Sequence, residues 1–332
     1  MKKCLIVPYF GNFTNYFQLT LNSCGKNSDF DWLIFTDNKK DYNYPKNVKL
    51  YRMEFSQFKE LVQNKFDFKI SLEKPYKLCD FKPAFGYILS DYLKEYDWWG
   101  YCDLDVIFGK LSNFITEEML EKYKKIFVFG HFTLMKNEKK VNELFKASLN
   151  GIELHKEVFQ TDKSCFFDET WGGNRTINNI FKSQRLPIFT TNYSADIYPN
   201  KVEFISIKSD VSGNKIRREK WIRSFFIYDN GHIMRYFIQG KELVKKEYMY
   251  IHLQKRKMKL DSLKNIDRYK IIPNLFTNIE CDNINRESFK KIAYRNINLD
   301  YILLKIKHHY ISKRLRVLKK SINKKLNKLI QK

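Results

Sequence analysis

The sequence lacks close cysteine pairs. Its six cysteines, Cys4, Cys24, Cys79, Cys102, Cys165 and Cys281, are scattered with no CxxC spacing, and most lie in apolar contexts. They read as reduced structural thiols, which excludes a disulfide scaffold. Long apolar runs are missing too. No segment has the roughly 18 uninterrupted apolar residues that a membrane span needs. The apolar run after Met1-Lys2-Lys3, from Cys4 to Phe10, is too short for a signal peptide and has no cleavage site. The expectation is a cytoplasmic protein. There is no internal repeat and no low-complexity linker, and the stretch from Tyr301 to Lys332 contains no Asp or Glu.

What is present is enough for a large core. The chain has 332 residues, of which 43% are hydrophobic and 16% aromatic, so it reads as a packed globule. Its formal charge of +24 points to an anionic partner, whether nucleic acid, lipid or small molecule. Phe and Tyr fall mostly in core patterns and no nucleic-acid-binding module is present, which speaks against a non-enzymatic nucleic-acid-binding protein.

The order of elements predicts an α/β fold. Cys4 to Phe10 reads as a first strand, Thr14 to Cys24 as a helix and Asp31 to Asp37 as a second strand, which together suggest a βαβ start and a parallel sheet. Val48 to Glu54 reads as a strand and Ser56 to Phe66 as a helix. Phe85, Ile88, Leu89, Tyr92 and Leu93 recur at helical spacing, so one helix is expected to begin near Asp80–Pro83. Lys82 at that start would add its charge to free amides and make an anion site. Further on, Thr116 to Tyr123 reads as helical, Lys125 to Gly130 as a strand running into His131-Phe132-Thr133-Leu134, and Asn137 to Leu149 as a charged helix. Ser224–Tyr228 and Ile233–Ile238 flank Asp229-Asn230-Gly231, the pattern of a β-hairpin.

One stretch stands out. Residues 98 to 109, Trp-Trp-Gly-Tyr-Cys-Asp-Leu-Asp-Val-Ile-Phe-Gly, surround two aspartates with apolar or small residues, so they read as a buried strand whose end carries Asp103 and Asp105. Positions i and i+2 of a strand share a face, and two carboxylates there repel unless a cation lies between them. Mn²⁺ or Mg²⁺ with oxygen ligands suits such a site and leaves positions for a substrate's phosphates. In open α/β sheets ligands bind beyond the carboxyl ends of the strands, so Tyr9, Phe10, Asp37, Asp103 and Asp105 are expected on one rim. Asp168-Glu169-Thr170-Trp171-Gly172-Gly173-Asn174 is a polar, glycine-punctuated loop suited either to function or to capping the next helix. His252, inside the short strand Tyr248 to Arg256, reads by itself as a core histidine more readily than as a ligand.

These residues together carry a resemblance. Tyr101-Cys102-Asp103-Leu104-Asp105, the entry Pro8-Tyr9-Phe10-Gly11, the strand ending Phe35-Thr36-Asp37 and the downstream Tyr250-Ile251-His252-Leu253 resemble bacterial nucleotide-sugar-dependent glycosyltransferases of the GT-A fold. Asp80-Phe81-Lys82-Pro83-Ala84-Phe85-Gly86 ahead of Trp98-Trp99-Gly100-Tyr101 is similar to a group of that class associated with capsule and lipopolysaccharide gene clusters. The resemblance covers roughly residues 1 to 260. It implies a GT-A-like, Rossmann-like mixed and mainly parallel sheet flanked by helices over 1–260; the remaining residues, 261–332, read from their own pattern as a basic helical segment. It further implies Mn²⁺ or Mg²⁺ held by Asp103, Asp105 and His252, with Asp105 the more direct ligand and Asp103 nearer the ribose. Tyr9 and Asp37 would contact the nucleoside, Lys82 the phosphate or sugar, and Lys255 the diphosphate. Asp168, ahead of Glu169, would act near the acceptor or donor sugar.

The implied reaction moves a sugar from a nucleotide donor, UDP-linked for preference, to a cell-surface glycan precursor on a lipid carrier. A sugar-phosphate nucleotidyltransferase would share the aspartates but should carry a glycine-rich loop after the first strand, and Pro8-Tyr9-Phe10-Gly11-Asn12-Phe13 is not one. The last 32 residues hold eleven Lys or Arg, with Ile311, Leu315, Leu318, Ile322, Leu326 and Leu329 at helical spacing. Such a basic amphipathic helix suits peripheral attachment to an anionic membrane surface at the cytoplasmic face, or docking on its own protein.

Overall fold

The computed structural model describes residues 1–198, 203–208, 217–220, 222–254, 256, 258–281 and 283–295, together with 299, 302, 303, 306 and 307. Lys255 and all but four residues of the expected basic helix lie outside the described residues.

In chain order the strands are β1 (Lys3–Pro8), β2 (Phe30–Thr36), β3 (Val48–Arg52), β4 (Trp98–Cys102), β5 (Val106–Phe108), β6 (Lys125–Phe129) and β7 (Phe132–Lys136). There follow β8 (Ile188–Phe189), β9 (Ser194–Tyr198), β10 (Glu203–Ile205), β11 (Ile207–Lys208), β12 (Arg217–Arg218), β13 (Ser224–Asp229), β14 (His232–Gln239) and β15 (Glu242–Tyr248). The last are β16 (Tyr250–His252), β17 (Lys259–Leu260), β18 (Arg268–Ile272) and β19 (Leu275–Thr277).

The first sheet has the order β3-β2-β1-β4-β7-β6-β8. Its β3, β2, β1 and β4 run parallel, and β7 runs antiparallel to both β4 and β6. Both faces are covered: Cys4 and Ile6 of β1 enter one apolar cluster while Leu5 and Val7 enter the other. A strand buried on both sides needs an unbroken apolar run, which β1 and β4 supply. Parallel pairing brings the carboxyl ends of β1, β2 and β4 to one rim.

A second sheet, β10-β9-β16-β5, stands beside that rim, and a third, β15-β14-β13-β18-β19-β17, lies farther along the chain. The third is mostly antiparallel and is covered by the helix Arg286–Arg295, whose Phe289, Ile292 and Ala293 pack on Phe225, Ile227 and Ile272. The fold is therefore mixed α/β, with the parallel part concentrated in the first sheet. Among the described residues no helix is long and apolar enough to cross a membrane.

Several elements differ from expectation. The segment 261–332, expected to be helical, begins with two strands, β18 and β19, because Tyr269, Ile271 and Phe276 are buried in the core shared with the third sheet. Residues 98–109 are two strands in two sheets, β4 and β5, with Asp103-Leu104-Asp105 as the crossing between them. The helix expected from Asp80 to Leu93 is a series of short α and 3₁₀ turns. Pro83 removes a donor there, and Gly86 lies so close to the Trp99 ring that a Cβ would meet it at 2.3 Å. The expected helix Asn137–Leu149 is likewise two short turns, Lys139–Asn142 and Leu144–Lys146. Residues 132–136 form a strand, β7, that the sequence reading does not contain. The β13–β14 hairpin is as expected, with Asn230 and Gly231 at φ 47° and 89° in the turn.

Candidate metal and nucleotide site

Strand register explains why distant residues meet. β16 lies between β5 and β9, so His252 sits opposite Val106 on one side and Asp196 on the other. Asp105 immediately precedes Val106, which brings it to the same spot. Leu104 is buried in the core, and its two neighbours point the other way.

The His252 ring is held between three carboxylates. Its Nε2 lies 3.6 Å from Asp103 Oδ2 and 3.5 Å from Asp105 Oδ1, while its Nδ1 lies 2.8 Å from Asp196 Oδ1. The candidate ligand atoms of Asp103, Asp105 and His252 all lie within 4.8 Å of one another, and so do those of His131, Asp196 and His252. The first set is the better cation site. The Asp196 contact has hydrogen-bond length, so that side of the ring is already engaged, whereas the Nε2 side faces two carboxylates at longer range. Asp103 also opens to solvent, with 35% of its side chain exposed, which gives a substrate access. Two carboxylates and an imidazole match a divalent cation such as Mn²⁺. A carboxylate on the distal nitrogen is the usual way of fixing the tautomer and orientation of a ligating histidine.

The charges of the cluster act strongly on one another. Burial disfavours a protonated His252, but Asp105 and Asp196 outweigh it and hold its pKa well above the ordinary histidine value. Burial pushes His131 down to about 4 against the pull of Asp196, so it is neutral; it stacks on His252 at 4.5 Å and bonds Tyr250 Oη at 2.7 Å. Burial opposes ionisation of Asp103 and Asp196 too. Lys82 and His252 keep Asp103 low, and His252, hydrogen-bonded to it, helps keep Asp196 low.

Lys82 links this cluster to the acid loop. Its Nζ lies 2.7 Å from Asp103 Oδ1, 2.9 Å from the Gly130 carbonyl and 3.5 Å from Asp168 Oδ2. Burial disfavours its charge, yet Asp103 and Asp168 hold its pKa well above the normal lysine range. It begins a 3₁₀ turn, and its ammonium serves these carboxylates, in place of the expected open anion site at a helix start. Asp168 is buried, and burial raises its pKa well above the usual carboxylate range despite Lys82. Glu169 is partly exposed and accepts from the Gly130 amide at 3.1 Å; burial raises its pKa as well. Gly130 must be small here, since a Cβ would stand 2.4 Å from Asp168 Oδ2.

Tyr9 and Asp37 lie along the same rim. Tyr9 is close enough to the cluster that burial, then Asp105 and Asp103, raise its phenol pKa. Asp37 accepts from the Gly11 amide at 2.7 Å and lines a cavity of about 520 Å³ with Gly11, Phe13, Asn15, Lys40 and Tyr42.

The structure thus brings together Asp103, Asp105, His252, Lys82, Asp168 and Glu169, with Tyr9 adjacent and Asp37 at the neighbouring cavity. Lys255 is outside the described residues. Sequence reasoning missed Asp196, His131, Gly130 and the ion pair beneath the loop. In that pair Lys77 Nζ lies 2.8 Å from Asp80 Oδ2, both groups are buried, and Asp80 accepts from the Cys165 and Phe167 amides. Asp196 carries the same signal as Asp103, an acid inside an apolar strand. The Lys77–Asp80 pair is local, at i and i+3, but the Asp80 contacts with Cys165 and Phe167 span more than 80 residues of sequence and leave no local trace.

In comparison with known proteins, the profile described as "Family of unknown function (DUF6625)" matches residues 5–280. No curated protein matches the chain.

Proposed function

The chain belongs to DUF6625, a family defined by sequence and not by activity, and from that premise we propose that it is a metal-dependent glycosyltransferase of GT-A type. It would take a nucleotide sugar, UDP-linked for preference, and pass the sugar to a cell-surface polysaccharide or lipopolysaccharide precursor. The observation that carries this reading is the convergence of Asp103, Asp105 and His252 beyond the parallel strands, backed by Asp196.

The residues divide the work in a chemically sensible way. The cavity at Asp37 and Gly11 has room for a nucleoside, and Tyr9 stacks on its lining residue Phe13. Asp103, Asp105 and His252 would hold a divalent ion, which would supply positive charge to a diphosphate leaving group. Lys82 keeps Asp103 ionised and oriented. Glu169, partly exposed and with a raised pKa, is the acid best placed to take a proton from an acceptor hydroxyl. Asp168, the first choice from sequence, is wedged against Gly130 and Lys82 and supports the loop. Peripheral attachment to the cytoplasmic membrane face through residues 301–332 belongs to the same proposal, because the acceptor is lipid-linked. It predicts that removing these residues weakens binding to anionic vesicles.

The test is thermal stabilisation by UDP, GDP, CDP and ADP, each with and without Mn²⁺, on wild type and Asp105→Ala. A ligand that binds only the native state stabilises it by mass action, by about 2.7 kcal/mol at a hundredfold excess over Kd, and so raises Tm. The expected result is a metal-dependent shift with one nucleotide that is lost in the variant. No shift with any nucleotide would overturn the reading.

A further inference from the structure

The chain carries 28 Phe, 21 Tyr and 5 Trp. Among the described residues the large aromatics that stand out in solvent are Tyr76, Phe166 and Trp171, at 58%, 42% and 41% exposure. All three border the acid loop.

Their placement is built rather than incidental. Tyr76 sits in the turn Pro75–Lys77, and Lys77 Nζ donates to the Lys163 carbonyl at 2.6 Å as well as pairing with Asp80. Asp80 in turn receives the amides of Cys165 and Phe167, on either side of Phe166. One buried ion pair therefore fastens the Tyr76 segment to the Phe166 segment. Phe166 has a φ of +54°, a conformation costly for a bulky side chain, while its neighbour Phe167 is fully buried. Trp171 follows the acids directly, in the turn Thr170–Gly172, with the Arg218 guanidinium carbon 5.5 Å from its ring centroid. The Tyr76 phenol feels the site: burial first, then Cys79, Asp103, Glu169 and Asp168, raise its pKa.

Exposed aromatics gathered at one place mark a binding surface more often than scattered ones do. The chemistry here selects the occupant. A pyranose ring has a C–H face that the negative face of an aromatic ring attracts, and a rim of hydroxyls that carboxylates accept from. Rings beside the partly exposed Glu169 offer both halves of that recognition. A carboxylate there also opposes an anionic lipid headgroup. We propose that Tyr76, Phe166 and Trp171 form an acceptor subsite on which a sugar ring of a glycan stacks, with one hydroxyl turned toward Glu169. The catalytic meaning of this subsite rests on the transferase reading, whereas glycan binding by itself does not.

The experiment uses the full-length protein on an array of oligosaccharides of varied sugar and linkage. It compares wild type with Trp171→Ala, Phe166→Ala and the conservative Trp171→Phe, and measures the metal-dependent nucleotide shift of each protein alongside. Wild type is expected to hold at least one glycan class. Each alanine variant should weaken it by tenfold or more, Trp171→Phe should recover most of the binding, and the nucleotide shift should persist. Equal binding by wild type and the alanine variants would overturn the proposal, as would no glycan held by wild type, or competition by anionic vesicles but not by glycans. Glycan binding that depends on Trp171 without any nucleotide shift in wild type would keep the subsite and remove the transferase reading. A nucleotide shift with no glycan held would do the reverse.

Discussion

Two regions of this molecule bury charge in different ways. At the rim of the first sheet, Asp103, Asp105, Asp168, Glu169 and Asp196 gather around Lys82 and His252, with His131 held neutral by burial. In the third sheet the buried cations Arg235 and Lys270 each meet one carboxylate from outside its strands: Arg235 pairs with Glu219 at 2.6 Å and Lys270 with Glu280. These cations are matched one to one. The rim carries more buried acid than its bases neutralise, and such an excess is stable only if other energy offsets it or a cation arrives. Excess charge of this kind belongs to sites that bind or react, whereas matched pairs belong to structure.

The comparison can be broken at several points. The largest effect is expected beneath the loop. Asp80→Ala leaves Lys77 buried without its partner and frees the amides of Cys165 and Phe167, so stability should fall by about 3–5 kcal/mol in urea unfolding. A loss under about 1 kcal/mol would mean the loop is held by other contacts. Glu219→Gln, at the partner of Arg235 in the third sheet, keeps a hydrogen-bond acceptor and should cost less, about 1–3 kcal/mol.

Asp168→Asn should act in the opposite direction. Burial holds the folded pKa of Asp168 above its unfolded value, so the native state keeps a proton that the unfolded chain has released. Its contribution then favours folding at low pH and is lost as pH rises from about 4 toward the folded pKa. The amide removes that penalty, so the variant should gain about 1–2 kcal/mol at pH 7 and lose that part of the pH slope, while activity declines. If Asp168→Asn destabilises as Glu219→Gln does, the two regions do not differ in the way described.

Much of the site was legible because carboxylates inside apolar runs are conspicuous: Asp103 and Asp105 stand between Cys102 and Val106, and His252 within Tyr250–Leu253. The change of sheet at Asp103 was not legible, since the apolar run continues through it and hydrophobicity does not say which sheet a residue joins. Strand β7 was hidden for a related reason. It follows β6 after a bulged end, where Phe127 has a φ of 69° and the register shifts, and no standard turn sequence announces the reversal. The helix expected over Asp80–Leu93 failed because its spacing was right but Gly86 must admit the Trp99 ring, a tertiary contact outside any local pattern.

The central claim is that Asp103, Asp105 and His252 hold one divalent cation. It is tested most directly by titrating purified protein with Mn²⁺ and following free Mn²⁺ by electron paramagnetic resonance, for wild type, Asp105→Asn and Asp196→Asn. The account predicts a single site in wild type, its loss in Asp105→Asn and a weakening of about 10–100-fold in Asp196→Asn, whose carboxylate only orients the histidine. Absence of Mn²⁺ binding in wild type, or binding that Asp105→Asn leaves unchanged, would contradict it.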